Sequence, residues 1–127
     1  MFAVRVRLGG TGSSASEGYV EALGTNGQWG GVCDDSFDIN DAHVICRMLG
    51  YPSALVAVDA FLHTYGDNPS GSSYVLDNLN CDGSELSVFD CSHNGEWQEN
   101  CDANEIAGVQ CQSKLYQISI QYFGILS

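Results

Sequence analysis

The chain has very few basic side chains. Its 127 residues contain four Lys and Arg against 16 Asp and Glu, which gives a formal net charge of -12. Because phosphate binding needs clustered Lys and Arg, this imbalance argues against nucleic acid as a partner. An acidic surface suits cations, basic proteins or anions bridged through a metal, and it also serves simple solubility.

Long apolar runs are missing as well. No stretch approaches the ~18 residues that a membrane-spanning helix needs, so membrane insertion is not expected. The residues before the first strand pattern, Met1 to Ala3, are too few for the apolar region of a signal peptide. We therefore expect a mature or excised domain, of a size that fits one modest core.

The sequence also lacks a Cys-x-x-Cys pair, and its three histidines lie far apart, so a structural zinc site is not favoured. The cysteines are Cys33, Cys46, Cys81, Cys91, Cys101 and Cys111. An even number at irregular spacing indicates a disulfide framework in an oxidising, secreted or extracellular setting. Six cysteines allow many pairings, and the spacing alone does not choose among them.

Alternation of apolar and polar residues predicts three strands near the start of the chain. Residues 4–8 and 19–23 alternate in this way, and residues 28–33 follow as a return strand. Between the last two lies the turn sequence Thr25-Asn26-Gly27. Because Asn-Gly is a strong hairpin signal, we expect these two strands to pair.

One helix is expected over residues 40–49. Its apolar stripe consists of Val44, Ile45, Met48 and Leu49. Gly50 is a natural C-terminal stop, and Asn40 or Asp41 is a suitable cap. Asp38 and Asp41 are expected to serve helix capping and to face solvent.

The second half of the chain has weaker patterns. Residues 53–73 are expected to be mostly loop, and residues 74–76 form a short apolar run. Residues 106–111 are expected to be the last core strand. Beyond the last cysteine, residues 115–123 again alternate and are uncharged. We expect this segment to form an added strand, on its own sheet or by self-association with another copy.

Several motifs together resemble the scavenger receptor cysteine-rich (SRCR) domain over roughly residues 4–112. These are VRL at 6–8, EGYVE at 17–21, GQWGGVCDD at 27–35, NDAHVICRMLGY at 40–51, LDNLNC at 76–81 and AGVQC at 107–111. The family has six- and eight-cysteine forms. The positions of the two additional cysteines hold Ser16 and Tyr51 here, so the chain resembles the six-cysteine, group A-like form.

The resemblance implies an α+β fold, in which a small curved antiparallel β-sheet cradles one α-helix and disulfides staple the two. Residues 1–112 would form this single domain, and residues 113–127 a C-terminal extension. The disulfide pairs that the resemblance implies are Cys33–Cys101, Cys46–Cys111 and Cys81–Cys91.

A cation site is expected where Cys33 meets Cys101. That bond would hold Asp34 and Asp35 near Glu105, and some family members bind a cation through this carboxylate set. Calcium takes about 6–8 oxygen ligands, so water, backbone carbonyls or a ligand would complete the shell. The alternative is that Asp34 and Glu105 only cap turns or meet Arg47.

A second, weaker cation site is implied by the same resemblance. Its residues would be Asp77, Asn78 and Asn100. Family members often carry Asp at the position of Asn78, so this chain has one charge fewer there. We therefore expect weaker cation binding at this site than at the first.

The resemblance implies an extracellular, non-catalytic ligand-binding module of scavenger-receptor type. Its partner would be an extracellular protein or an anionic ligand bridged by calcium. The alternative is an accessory interaction domain of a larger secreted enzyme or receptor. Catalysis is not expected, because the sequence has no Gly-x-Ser-x-Gly motif and nothing links a particular serine to a histidine.

Overall fold

In the computed structural model, which describes residues 5–60 and 63–113, a curled sheet surrounds one helix. The strands are β1 (Val6–Gly9), β2 (Glu17–Leu23), β3 (Trp29–Val32), β4 (Ala54–Asp59), β5 (Tyr74–Leu76) and β6 (Ala107–Cys111), and the helix α1 spans Ile39–Met48. Within the described residues, no helix has the length and apolar character to cross a bilayer.

The sheet has the strand order β4-β6-β2-β3-β5, with β1 added on β2. Its pairs are antiparallel except that of β3 and β5, which is parallel. The sheet is therefore mixed, and the expectation of a purely antiparallel sheet is wrong at this edge. The physical reason is the long connection through α1 and β4, which brings the chain back to pair in the same direction as β3.

The predicted hairpin joins β2 and β3. The Gly24 N–H donates to the Gln28 carbonyl at 2.8 Å, and the Gly27 N–H donates to the Gly24 carbonyl at 3.0 Å. Gly27 has φ +83°. That left-handed conformation suits glycine because it has no Cβ.

Asp38, not Asn40 or Asp41, is the N-cap of α1. The Asp38 carboxylate accepts hydrogen bonds from the Asn40 and Asp41 amides, and the Asp41 carboxylate accepts one from the Asp38 amide in return. Asp41 also accepts from the Cys81 amide at 2.7 Å and is fully buried. The expectation that Asp41 faces solvent is therefore wrong, and its burial raises the pKa of its carboxyl to about 6.

Strand β4 lies in the region expected to be mostly loop. It pairs with β6 along its length, from Ala54 opposite Cys111 to Asp59 opposite Ala107. An irregularity between Ala54 and Val56 interrupts the register. Residues 54–58 are all apolar, so the strand lacks the period-2 alternation of apolar and polar residues that would have predicted it.

Three disulfides fasten these elements, and they join the pairs that the resemblance implies. Cys46–Cys111 ties α1 to β6, Cys33–Cys101 fastens the end of β3, and Cys81–Cys91 closes a short loop. All six cysteines are bonded. The prediction for residues 115–123 lies outside the described residues.

Candidate metal centre

The site begins at the end of β3, where Cys33 is completely buried and bonded to Cys101. The Cys33 N–H donates to the Leu76 carbonyl at 2.9 Å, and Cys33 forms a single antiparallel bridge with Ile106. The two residues after Cys33 therefore project from a covalently and hydrogen-bonded anchor, which limits their freedom to separate.

Asp35 and Glu105 converge on this anchor from distant parts of the sequence. One carboxylate oxygen of each lies within 4.8 Å of the other and of both disulfide sulfurs. Asp35 Oδ2 is 3.7 Å from Cys101 Sγ, and Glu105 Oε2 is 3.9 Å from Cys33 Sγ. Because a disulfide sulfur is not a thiolate, the carboxylates are the groups of this set that are able to hold a hard cation.

Asp34 belongs to the same surface, but its carboxylate is not a member of that close group. Its amide donates to the Glu105 carbonyl at 2.6 Å, so its backbone ties the two segments together. Burial raises the pKa of the Asp34 carboxyl to about 6, with further contributions from Asp35, Asp59 and Glu105. The raised pKa reports negative charges that repel one another in a partly desolvated place.

Asp59 is a fourth carboxylate of this region, and the sequence analysis missed it. It lies at the end of β4 and, with Asp34, Phe37, Ala57 and Val58, lines a cleft of about 280 Å³. The miss follows from the expectation of a loop at residues 53–73. The apolar, β-branched run before Asp59 was the available signal, since such runs favour strands.

Asp77 of the second candidate site is held differently. Its side chain is buried, with 1% of its surface exposed, and Oδ1 accepts the Asn78 N–H at 2.8 Å. Burial raises the pKa of the Asp77 carboxyl, with a smaller rise from Asp35, while the backbone N–H groups of Asn78 and Asn100 lower it. Asn78 and Asn100 are exposed at the rim of a shallow depression around it.

The two candidate sites are electrostatic neighbours. Asp35 of the first site raises the pKa of Asp77 in the second. They therefore form parts of one acidic surface, and a charge placed at one site changes the potential at the other.

Arginines do not neutralise this surface within the described residues. Arg7 pairs with Glu21 at 3.1 Å, and the Arg47 guanidinium donates to the Gly83 carbonyl. The Arg5 guanidinium lies 3.7 Å from the ring centre of Phe89. Arg47 therefore pairs with neither Asp34 nor Glu105, and that alternative is wrong.

Comparison with known proteins places these features in a family. A sequence model of the scavenger receptor cysteine-rich domain matches residues 10–112. The chain belongs to the scavenger receptor cysteine-rich family. The three disulfides agree with its six-cysteine form, so the resemblance seen in the sequence is confirmed.

Curated relatives contain the SRCR domain as a small part of a longer chain. Macrophage receptor MARCO of Mus musculus is 46% identical over 108 residues, which are 84% of this chain and 18% of that protein. Lysyl oxidase homolog 2 of Homo sapiens is 40% identical over 111 residues, which are 87% of this chain and 14% of that protein. The chain thus spans less than a fifth of the length of these relatives.

Solved SRCR domains share the fold. The dimeric form of the SRCR domain of mouse MARCO matches with 45% identity and a TM-score of 0.65, over 76% of this chain and 86% of that one. The third SRCR domain of murine neurotrypsin matches with 37% identity and a TM-score of 0.69, over 85% of this chain and 95% of that one. The predicted fold class, a curved sheet around one helix with disulfides, is confirmed.

Proposed function

We propose that this SRCR domain is an extracellular, non-catalytic module that recognises a macromolecular ligand through a calcium ion held by Asp35 and Glu105. The observation that carries the proposal is the meeting of these two carboxylates over the Cys33–Cys101 disulfide. No described arginine neutralises them, so a cation is the partner that best relieves their repulsion.

The spacing of the oxygens supports calcium. Calcium–oxygen distances of about 2.3–2.6 Å allow one ion to bridge oxygens up to roughly 5 Å apart. The carboxylate oxygens of Asp35 and Glu105 lie within 4.8 Å of each other. Asp34 stands beside them and adds negative charge. Water and a ligand group would supply the remaining oxygens, which suits loose binding of roughly 10⁻⁴ to 10⁻³ M, as in other extracellular modules.

A second calcium ion at Asp77, Asn78 and Asn100 is the weaker part of the proposal. The backbone amide of Asn78 already donates a hydrogen bond to the Asp77 carboxylate. A cation there competes with that donor, and Asn78 brings no charge. Occupancy of the first site would weaken the second further, because two cations on one surface repel each other.

A bound ion would act locally as a bridge to an anionic group of the ligand. The formal net charge is -12, so two divalent ions would leave the domain acidic overall. Local bridging is therefore favoured over attraction of a polyanion by the whole field. An extracellular protein with exposed carboxylates or sulfates, or another anionic macromolecule, fits this chemistry.

The second candidate function is an accessory interaction domain of a longer secreted enzyme or receptor. One observation favours it: the matched relatives are five or more times longer than the part that this chain covers. The similarity to lysyl oxidase homolog 2 covers only an SRCR part, so it gives no support for oxidase activity in this chain. Both candidate functions are non-catalytic.

Calorimetric titration with calcium tests the proposal directly. We expect heat from a millimolar-range site in the wild type, and its loss in Asp35→Asn, which keeps the shape but removes one charge. Asp90→Asn is the matched control, because it removes one exposed charge outside the site. Absence of calcium heat in the wild type, or equal titrations for the two variants, would reject the site.

Ligand bridging requires a second measurement. Binding to a surface coated with dextran sulfate, as a polyanionic probe, should require calcium and should disappear with chelator or in Asp35→Asn. Equal binding with and without chelator would mean that the acidic surface does not act through a cation.

Self-association through residues 113–127 stays a sequence-based prediction. The dimeric form of the mouse MARCO domain supports assembly between SRCR domains. The experiment in the next subsection distinguishes such assembly from pairing within one chain.

A further inference from the structure

Strand β4 forms one end of the sheet. It pairs with β6 on one side, and no other described strand lies on its far side. Every second N–H and C=O along the outer side of such a strand points away from the sheet. An edge of this kind is a template for one further strand.

The same strand carries exposed apolar side chains. Leu55 is 54% exposed and Val56 is 44% exposed. The described part of the chain has four exposed large apolar residues, and these are the two that lie side by side on a strand. Soluble proteins usually blunt an edge with charge or proline, so an uncovered apolar edge favours a covering segment.

The described chain ends close to this edge. Cys111 pairs with Ala54 at the start of β4. One residue further on, the Gln112 N–H donates to the Ser53 carbonyl at 2.8 Å, and the Ser53 hydroxyl donates to Gln112 Oε1 at 2.6 Å. The chain therefore leaves the sheet one strand away from the outer side of β4.

We propose that residues 115–123 of the same chain pair with the outer edge of β4 as an additional strand and cover Leu55 and Val56. The segment has the sequence LYQISIQYF, which alternates apolar and polar residues and carries no charge. Its nine residues exceed the six of β4, so it is long enough to span the whole edge.

The connection is short but sufficient. From Gln112 to Leu115 the chain covers up to about 10 Å. The outer side of β4 lies two strand spacings from β6, which is also about 10 Å. After this step the segment would run antiparallel to β6 and hence parallel to β4.

Charge and tethering favour the chain's own segment over a second copy. All 16 acidic residues precede residue 113, and residues 115–127 contain none. Two copies that approach edge to edge bring two acidic bodies together, whereas the tethered segment brings a neutral strand. A short tether also supplies a local concentration of about millimolar, which a second copy rarely reaches.

Hydrogen exchange of the full chain, followed by mass spectrometry, tests the pairing. In the wild type we expect protection of the β4 peptide at residues 54–59 beyond what β6 alone provides. The double variant Ile118→Pro with Ile120→Pro removes two donors, so exchange at the outward β4 amides should rise at least about tenfold. Replacing both isoleucines with valine is the control and should leave exchange unchanged.

The reciprocal variant changes the edge instead. Val56→Lys should increase exchange in residues 115–123, whereas Leu86→Lys, at a 91% exposed apolar residue outside β4, should not. Sedimentation of the wild type should show a monomer. Equal β4 exchange in the proline and valine variants would overturn the proposal. Protection that appears only at concentrations where a dimer forms would replace it with pairing between copies.

Discussion

Asp35 and Asp77 lie on one acidic surface, but their surroundings differ. Asp35 is exposed and meets Glu105 within 4.8 Å, with Asp34 and Asp59 adding negative charge nearby. Asp77 is almost fully buried and accepts a hydrogen bond from the Asn78 backbone amide. No described arginine neutralises Asp35, whereas the carboxylate of Asp77 already has a hydrogen-bond donor within the protein.

Asp35 is therefore available to bind a cation, whereas Asp77 has a structural role. A buried carboxylate that accepts from a backbone amide stabilises the loop around it, because that amide would otherwise be unsatisfied. Carboxylates that face one another without donors destabilise the fold slightly until a cation arrives. Substitutions at the two sites should therefore change stability in opposite directions.

The largest effect should come from removing the disulfide beneath the first site. Its cysteines are 68 residues apart, so the double variant Cys33→Ala with Cys101→Ala should lose about 4 kcal/mol of unfolding free energy on chain-entropy grounds. Urea denaturation measures this loss. The Cys81–Cys91 bond spans 10 residues, and its removal should cost about 3 kcal/mol.

Loss of calcium heat should accompany only the first of these variants, because only Cys33–Cys101 lies beneath Asp35 and Glu105. If removal of Cys81–Cys91 abolishes calcium binding equally, the ion is not held over the Cys33–Cys101 anchor.

Asp77→Ala should have the next largest effect. The variant leaves the Asn78 amide without its acceptor, and the unfolding free energy should fall by about 2 kcal/mol. Chemical denaturation in chelator is the measurement, since it removes any contribution from metal. Asp90→Asn, at an exposed position, is the control and should change stability little. A neutral or stabilising Asp77→Ala would show that Asp77 is not structural.

Much of the fold could be predicted from the sequence, because its signals are local. The strands around Asn26-Gly27, the helix with its apolar stripe and the last strand each depend on residues close together in the chain. The proximity of Asp35 and Glu105 could also be predicted, because the resemblance implied the disulfide between Cys33 and Cys101.

The wrong predictions concern residues whose contacts lie far away in the sequence. Asp41 is buried because it accepts a hydrogen bond from the Cys81 amide, 40 residues away. Strand β4 is defined by its pairing with β6, and its apolar residues 54–58 show no alternation with polar residues. Asp59 was missed with that strand. No local pattern predicts such contacts, since each depends on tertiary structure.

Neutralising the first site should give a small gain in stability. In chelator, Asp35→Asn relieves repulsion with Glu105 and Asp34, so thermal unfolding should shift upward by the equivalent of up to about 1 kcal/mol. Calcium should cancel this advantage of the variant. At a concentration several times its dissociation constant it stabilises the wild type by about 1 kcal/mol and leaves the variant unchanged. If Asp35→Asn is less stable than the wild type in chelator, the two sites do not change stability in opposite directions.

The smallest effect should be a pH dependence from Asp34. Its pKa is raised from 3.8 to about 6 in the folded protein, mainly by burial and then by Asp35, Asp59 and Glu105. Between these values the folded state binds more protons at this group than the unfolded state does. The contribution of Asp34 to the free energy of unfolding is therefore largest below about pH 4. It falls as the pH rises to about 6 and stays constant above that.

Asp34→Asn should flatten the decline in stability over this pH window by less than about 1 kcal/mol, because solvent screens a half-buried group. Part of the slope should remain, since the pKa values of Asp41 and Asp77 are also raised by burial. Asp82 should not affect this slope, because hydrogen bonds from Ser84 lower its pKa from 3.8 and its titration therefore falls below pH 4. The measurement is unfolding free energy in chelator from pH 4 to 7. An unchanged slope in Asp34→Asn would mean that Asp34 does not share the repulsion at the first site, and calcium affinity should then be insensitive to its protonation.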